Sequence, residues 1–146
     1  MEVIEYRDNI KDKVLDFLID IAVREFNHEN WLDYFINKDF SPYKSDKSKF
    51  FIVVEFGEII ATCGMLSMDN DTIKLNSLYV KDIFRGDGIG RKLLSMGIEF
   101  AKDNKYKRII LCTNDDYKTA AKFYERHGFK TYKIENNGEY WMEKIL

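Results

Sequence analysis

Apolar and polar positions follow two rhythms along this chain. Ile10, Val14, Leu18 and Ile21 recur at helical spacing, which lays one apolar stripe along a first amphipathic helix. From about His28 to Asn37 a second helix is expected, with Trp31, Leu32, Phe35 and Ile36 turned inward and Glu29 and Asp33 on another side. Ser41 and Pro42 break it. Shorter β-branched and aromatic runs read as strands near Val3 to Tyr6 and over Phe50 to Glu55, Glu58 to Met68 and Thr72 to Val80. Phe56-Gly57 and Asp69-Asn70-Asp71 are turns between the later runs, so these strands are successive antiparallel hairpins.

After Val80 comes a glycine-rich loop, then a helix with Ile89, Leu93, Gly97, Phe100 and Ala101 on one face. Arg108 to Thr113 is a dense apolar strand, and Tyr117 to His127 is a further amphipathic helix ended by Gly128. Phe129 to Ile134 and Glu139 to Leu146 form a closing hairpin turned at Asn136-Asn137-Gly138. With one proline, no repeat and no low-complexity stretch, residues 1–146 are expected to be a single domain of mixed α/β architecture.

Composition narrows the partners. The net charge is -2, from 23 basic and 25 acidic residues, which gives no basis for sequence-independent phosphate affinity, so nucleic acid is not expected. The N-terminus lacks a basic and then apolar leader, and no apolar run approaches the roughly 20 residues that span a bilayer. A cytoplasmic protein without membrane contact is the expectation. Cys63 and Cys112 sit in apolar strand-like runs and read as small core residues, and His28 and His127 offer no metal-ligand spacing, so no metal is expected.

The chemistry concentrates in Arg85-Gly86-Asp87-Gly88-Ile89-Gly90. Glycines there let the backbone approach a ligand without Cβ atoms in the way. The first turn of the following helix offers unpaired N–H groups and the positive end of its dipole, a ready site for a diphosphate. Arg85, Arg91 and Lys92 add positive charge. Taken alone, such a loop is as readily a tight strand-to-helix connection. A Walker A loop would need Gly-Lys-Ser or Gly-Lys-Thr, which Gly90-Arg91-Lys92-Leu93 does not supply. A dinucleotide fingerprint would need its third glycine one place later and a doubly wound topology that the preceding hairpins contradict.

Arg85, Gly88 and Gly90 fall on the donor-binding pattern of the GNAT superfamily of N-acetyltransferases, which the chain resembles. A second block, Ala121-Lys122-Phe123-Tyr124-Glu125-Arg126-His127-Gly128-Phe129, is similar to that family's later tyrosine motif. The resemblance covers residues from about 50 to the end, with the first 45 matching only as variable helices over the acceptor site. It implies a mixed, mostly antiparallel sheet of six to seven strands, with about four helices on its two faces, splayed between strands 4 and 5. It further implies acetyl-coenzyme A as co-substrate, its pantetheine arm on the backbone of Leu78, Tyr79 and Val80. Backbone groups of Gly86, Asp87, Gly88, Ile89, Gly90 and Arg91 would hold the pyrophosphate, and Arg85 is a further donor-binding residue of that loop. Asp87 falls on a variable position of the pattern. Many relatives carry an asparagine where Tyr117 stands, and Asn114 is the candidate to replace it as a donor contact.

Acetyl transfer to an amine needs a neutral amine, a polarised carbonyl and a proton for the departing thiolate. An alkyl amine is mostly protonated at pH 7, which leaves roughly 4 to 5 kcal/mol to be met by a base, a water chain or desolvation. By helical spacing Tyr124 reads as a core aromatic; by resemblance it is the catalytic acid beside the sulfur. The strand position where some relatives carry a glutamate is Cys112, so no base is assigned; Asn76, Ser77, Glu29 and Asp33 are candidates to order a water. The expected partner is an amine on a small molecule or peptide, and a homodimer is admissible. Glu25, Glu29 and Asp33 read either as an amine-attracting face or as the solvated side of a helix. The competing function is a non-catalytic acyl-coenzyme A sensor, which would keep the loop but not need Tyr124.

Overall fold

The computed structural model describes residues 1–113 and 118–146. Its strands are β1 (Glu2–Glu5), β2 (Lys49–Glu55), β3 (Glu58–Ser67), β4 (Thr72–Val80), β5 (Arg108–Thr113), β6 (Lys130–Ile134) and β7 (Tyr140–Ile145). Its helices are α1 (Lys11–Leu18), α2 (Leu32–Ile36), α3 (Ile89–Asp103) and α4 (Lys118–Arg126). Beyond Leu18, α1 widens into a π-helical stretch, Ile19–Glu25, closed by the amides of Phe26 and His28 on the carbonyls of Ile21 and Val23.

The strands form one seven-stranded sheet in the order β1-β2-β3-β4-β5-β7-β6, antiparallel except for β4 with β5. The last strand therefore inserts between β5 and β6. Strand alternation divides the apolar residues between two layers. On β2, Phe51 and Val53 join Leu93, Leu94 and Ala101 of α3 and Tyr124 of α4. Phe50 and Ile52, on the other face, join Val14, Phe17 and Leu18 of α1 with Phe35 of α2. Thus α3 and α4 cover one face of the sheet, and α1, its π-helical extension and α2 cover the other. Among the described residues no helix is long and apolar enough to cross a membrane.

Three sequence expectations change. α2 is only five residues, so one turn presents a single inward side chain, Phe35; Leu32 and Ile36 are exposed and Trp31 is half-buried. On α3 the buried position expected for Phe100 goes to Leu94, and Phe100 lies half-buried, edge-on to Phe51. Cys63 is a core thiol, whereas Cys112 is half-buried and lines a cavity.

Leu93 is fully buried between α3 and the sheet. Leu93→Ala is expected to lower unfolding free energy in urea by about 2 to 5 kcal/mol, because the packed surroundings close such a void only in part. Phe56, 96% exposed in a turn at φ +50, is the control: Phe56→Asn should not lower stability.

Candidate active site

β4 and β5 pair over three positions only, Thr72 with Arg108, Ile73 with Ile109 and Lys74 with Ile110. Past Lys74 they part, so the β5-facing edge of β4 is left without a ladder inside the sheet. A bulge sharpens the divergence. β3 pairs Thr62 with Tyr79 and Gly64 with Asn76, which puts an extra residue into β4 at Ser77, held at φ +53 while Thr62 Oγ1 donates to its carbonyl at 2.7 Å. The bulge resets the alternation: Leu75, Leu78 and Val80 side with α3, while Tyr79 sides with α1.

The gap is a cavity of about 430 Å³. Leu75, Leu111, Ala120 and Tyr124 line it on the α3 and α4 side. Lys74, Asn76, Cys112, Glu139 and Trp141 line it toward α2, whose flank adds Trp31 and Tyr34. His28 stacks on Trp31 with ring centroids 4.4 Å apart and fixes that wall. Gly64 makes room for Asn76: a Cβ there would lie 2.7 Å from Asn76 Oδ1, which accepts from the Tyr43 hydroxyl at 3.0 Å.

At the outer end of the gap, Gly86 and Gly88 take φ +89 and +84, and α3 starts at Ile89. The first helical amide bond is Lys92 to the Gly88 carbonyl, so the amides of Ile89, Gly90 and Arg91 precede any intrahelical partner. A Cβ at Gly88 would meet the Arg91 guanidinium at 3.1 Å, which places that charge over the loop. Asp87 is exposed. These donors fit a diphosphate. Arg85 is placed differently from the expectation that its charge faces the phosphates. Its guanidinium makes a two-pronged pair with Glu25 at 2.7 and 2.6 Å and donates through Nε to the Val80 carbonyl at 2.8 Å. It therefore pins the loop to the end of the π-helical stretch.

Tyr124 is buried, edge-on to Phe123 and Phe129 at 5.4 and 5.6 Å, and its hydroxyl has no hydrogen-bond partner among the described residues. Burial, and then the neighbouring Cys63, push its phenol well above the ordinary value, so it stays protonated. On the opposite wall the Cys112 thiol donates to Glu139 at 3.0 Å, and burial followed by that carboxylate pushes the thiol up to about 12. Glu139 also accepts from Asn137 at 2.8 Å. Glu139 escaped the sequence reading because it belongs to the cavity only once β7 is seated against β5; its one signal was an acid at the start of that strand.

Of the candidates to order a water, Asn76 and Ser77 line the cavity, whereas Glu29 is exposed and Asp33 lines a neighbouring pocket. That pocket holds Lys38, whose ammonium lies 5.5 to 5.8 Å from the ring centroids of Tyr34, Phe40 and Tyr43. The rings favour the cation. Burial, with Lys74 second, pushes Lys38 down to about 8. Asn114 and Tyr117 lie outside the described residues.

Comparison with known proteins agrees with this geometry. The model of the acetyltransferase (GNAT) family matches residues 15–129. N-acetylaspartate synthetase of Danio rerio is 34% identical over 88 residues, which are 60% of this chain and 31% of that protein. The chain spans less than half the length of such relatives. A GNAT-family acetyltransferase crystal structure from Staphylococcus aureus Mu50 superposes with a TM-score of 0.85 at 24% identity, covering 99% of this chain and 98% of that one. The PaiA N-acetyltransferase of Thermoplasma acidophilum, solved in complex with coenzyme A, gives a TM-score of 0.82 at 16% identity, with 99% and 98% covered.

Lys38 should titrate near pH 8 when followed by NMR of isotopically methylated lysines. Lys74→Met removes a nearby like charge, so the Lys38 midpoint should move to higher pH in that variant.

Proposed function

The chain belongs to the acetyltransferase (GNAT) family, and on that premise we propose that it is an N-acetyltransferase, one domain over residues 1–146, that carries an acetyl group from acetyl-coenzyme A to a primary amine by direct attack in a ternary complex. The observation that carries this reading is the unladdered β4 edge, with a glycine loop at its outer end and Tyr124 beside it. The coenzyme A complex of the Thermoplasma protein, which has the same fold, supports the donor, and the name of N-acetylaspartate synthetase supports an amine acceptor.

Acetyl-coenzyme A supplies a thioester, from which amine attack forms an amide and expels coenzyme A as a thiolate, which then takes a proton from solvent. The amides of Ile89, Gly90 and Arg91, with the Arg91 guanidinium and Lys92, hold the pyrophosphate at the α3 N-terminus. Leu78, Tyr79 and Val80 offer backbone N–H and C=O groups to the amides of the pantetheine arm, as a strand edge receives another strand. Arg85 acts by holding the loop and Val80 in place. Tyr124 donates a hydrogen bond to the departing sulfur. Its raised pKa makes full proton transfer to a thiolate of about 8.5 uphill, so its chief effect is to stabilise the developing negative charge. Glu139, oriented by Cys112 and Asn137, takes the amine proton, directly or through a water. Its carboxylate comes from the residue just before β7, the strand paired with β5, where the sequence offered only the Cys112 thiol. The presence of both groups in one cavity favours catalysis over a sensor.

Tyr124→Phe is expected to lower kcat about 100-fold in a thiol-release assay while calorimetric affinity for acetyl-coenzyme A stays near wild type; an unchanged kcat would remove Tyr124 from the chemistry. Glu139→Gln should lower kcat strongly at pH 7 and much less at pH 9, because free amine accumulates as pH rises toward the amine pKa. Gly88→Val should abolish binding of the donor, since φ +84 strains a branched side chain and its methyls would displace the Arg91 guanidinium from the loop.

A further inference from the structure

We propose that the acceptor carries a carboxylate as well as its amine, the carboxylate held by Lys74 while the amine faces Glu139, so that the substrates are amino acids or related zwitterions rather than simple alkylamines. This rests on the acetyltransferase reading of the same cavity.

Three observations carry it. Lys74 is half-buried in the cavity wall, its ammonium 5.1 Å from the Trp141 ring centroid. Lys38 borders the neighbouring pocket rather than this cavity, and Tyr34 lines both. Neither lysine has a carboxylate within ion-pair distance among the described residues, although Lys49 and Lys81 are paired with Glu5 and Glu58. Asp33 and Asp39 border the Lys38 pocket, but Asp39 is held by the Ser41 amide and hydroxyl at 2.9 and 2.8 Å and Asp33 is exposed.

A half-buried ammonium with no carboxylate beside it among the described residues is unfavourable unless a ligand supplies one. Glu139 lies in the same cavity, beyond Cys112, and forms no ion pair with Lys74 among the described residues. The wall thus presents a cationic and an anionic group in one cavity with no direct ion pair between them among the described residues, a charge pattern complementary to a zwitterion. Trp31, Tyr34 and Trp141 give it apolar sides for the carbon skeleton between the two charges.

The test uses the full chain with acetyl-coenzyme A and follows thiol release from glycine, β-alanine and γ-aminobutyrate, each beside its carboxamide. Charge-assisted contacts predict a kcat/KM about 10- to 100-fold higher for the best acid than for its amide. Lys74→Met should collapse that ratio toward one by raising KM for the acid, and Lys74→Arg should restore part of it. Amides as good as acids, or a ratio unmoved by Lys74→Met, would overturn the proposal. A second measurement separates it from the acetyltransferase reading. Titration of the acids and their amides against tryptophan fluorescence, with Trp31 and Trp141 in the cavity wall, reports binding without turnover. Carboxylate-dependent quenching without thiol release from any amine would sink the acetyl-transfer reading and leave the carboxylate site standing; absence of carboxylate-dependent binding would sink the site itself.

Discussion

The early end of the parallel pairing between β4 and β5 is the constraint on which the rest of the molecule depends. Three residue pairs hold the two halves of the sheet together, and everything beyond Lys74 on β4 is free to turn away. The divergence opens the sheet to both layers at once. Tyr124 reaches the gap from the α4 side, while Trp31 and Tyr34 reach it from the α2 side, and neither group crosses the plane of the sheet. A sheet fully laddered between these strands would bury both sets in separate cores and leave them no common space.

Keeping the gap open requires fixed points around it. Ser77 stands in a left-handed conformation that ordinary side chains adopt at a free-energy cost, and the Thr62 hydroxyl holds it there. Gly64 lets Asn76 sit close to β3, where Tyr43 takes it up. At the mouth, Arg85 joins Glu25, Phe26 and the Val80 carbonyl, so one side chain ties the donor loop, the end of β4 and the helical layer over the acceptor side. The π-helical stretch gives the chain before Glu25 a wider turn than an α-helix would.

Local chemistry made much of this legible in the sequence. The bounds of β4 and β5 follow from apolar density between turn residues, and the glycines at 86 and 88, read as room for a close backbone approach, stand at positive φ. Contacts made only by topology were not legible. Glu139 meets Cys112 because the last strand inserts beside β5, and Arg85 meets Glu25 across 60 residues of sequence. Neither partner has a local signature. Leu32 and Ile36 misled for the opposite reason: their periodicity is helical, but the helix is too short to bury more than Phe35.

The row of unladdered N–H and C=O groups along β4 also bears on how the molecule endures. An inner strand with one vacant side is a native-state feature that the unfolded chain does not share, so any extended ligand seated there draws the folding equilibrium toward the native form. At 100 times its dissociation constant such a ligand adds about 2.7 kcal/mol, a large fraction of the stability of a small protein. The supply of that ligand would then set how long each copy of the chain persists against unfolding and proteolysis, as well as how fast it turns over.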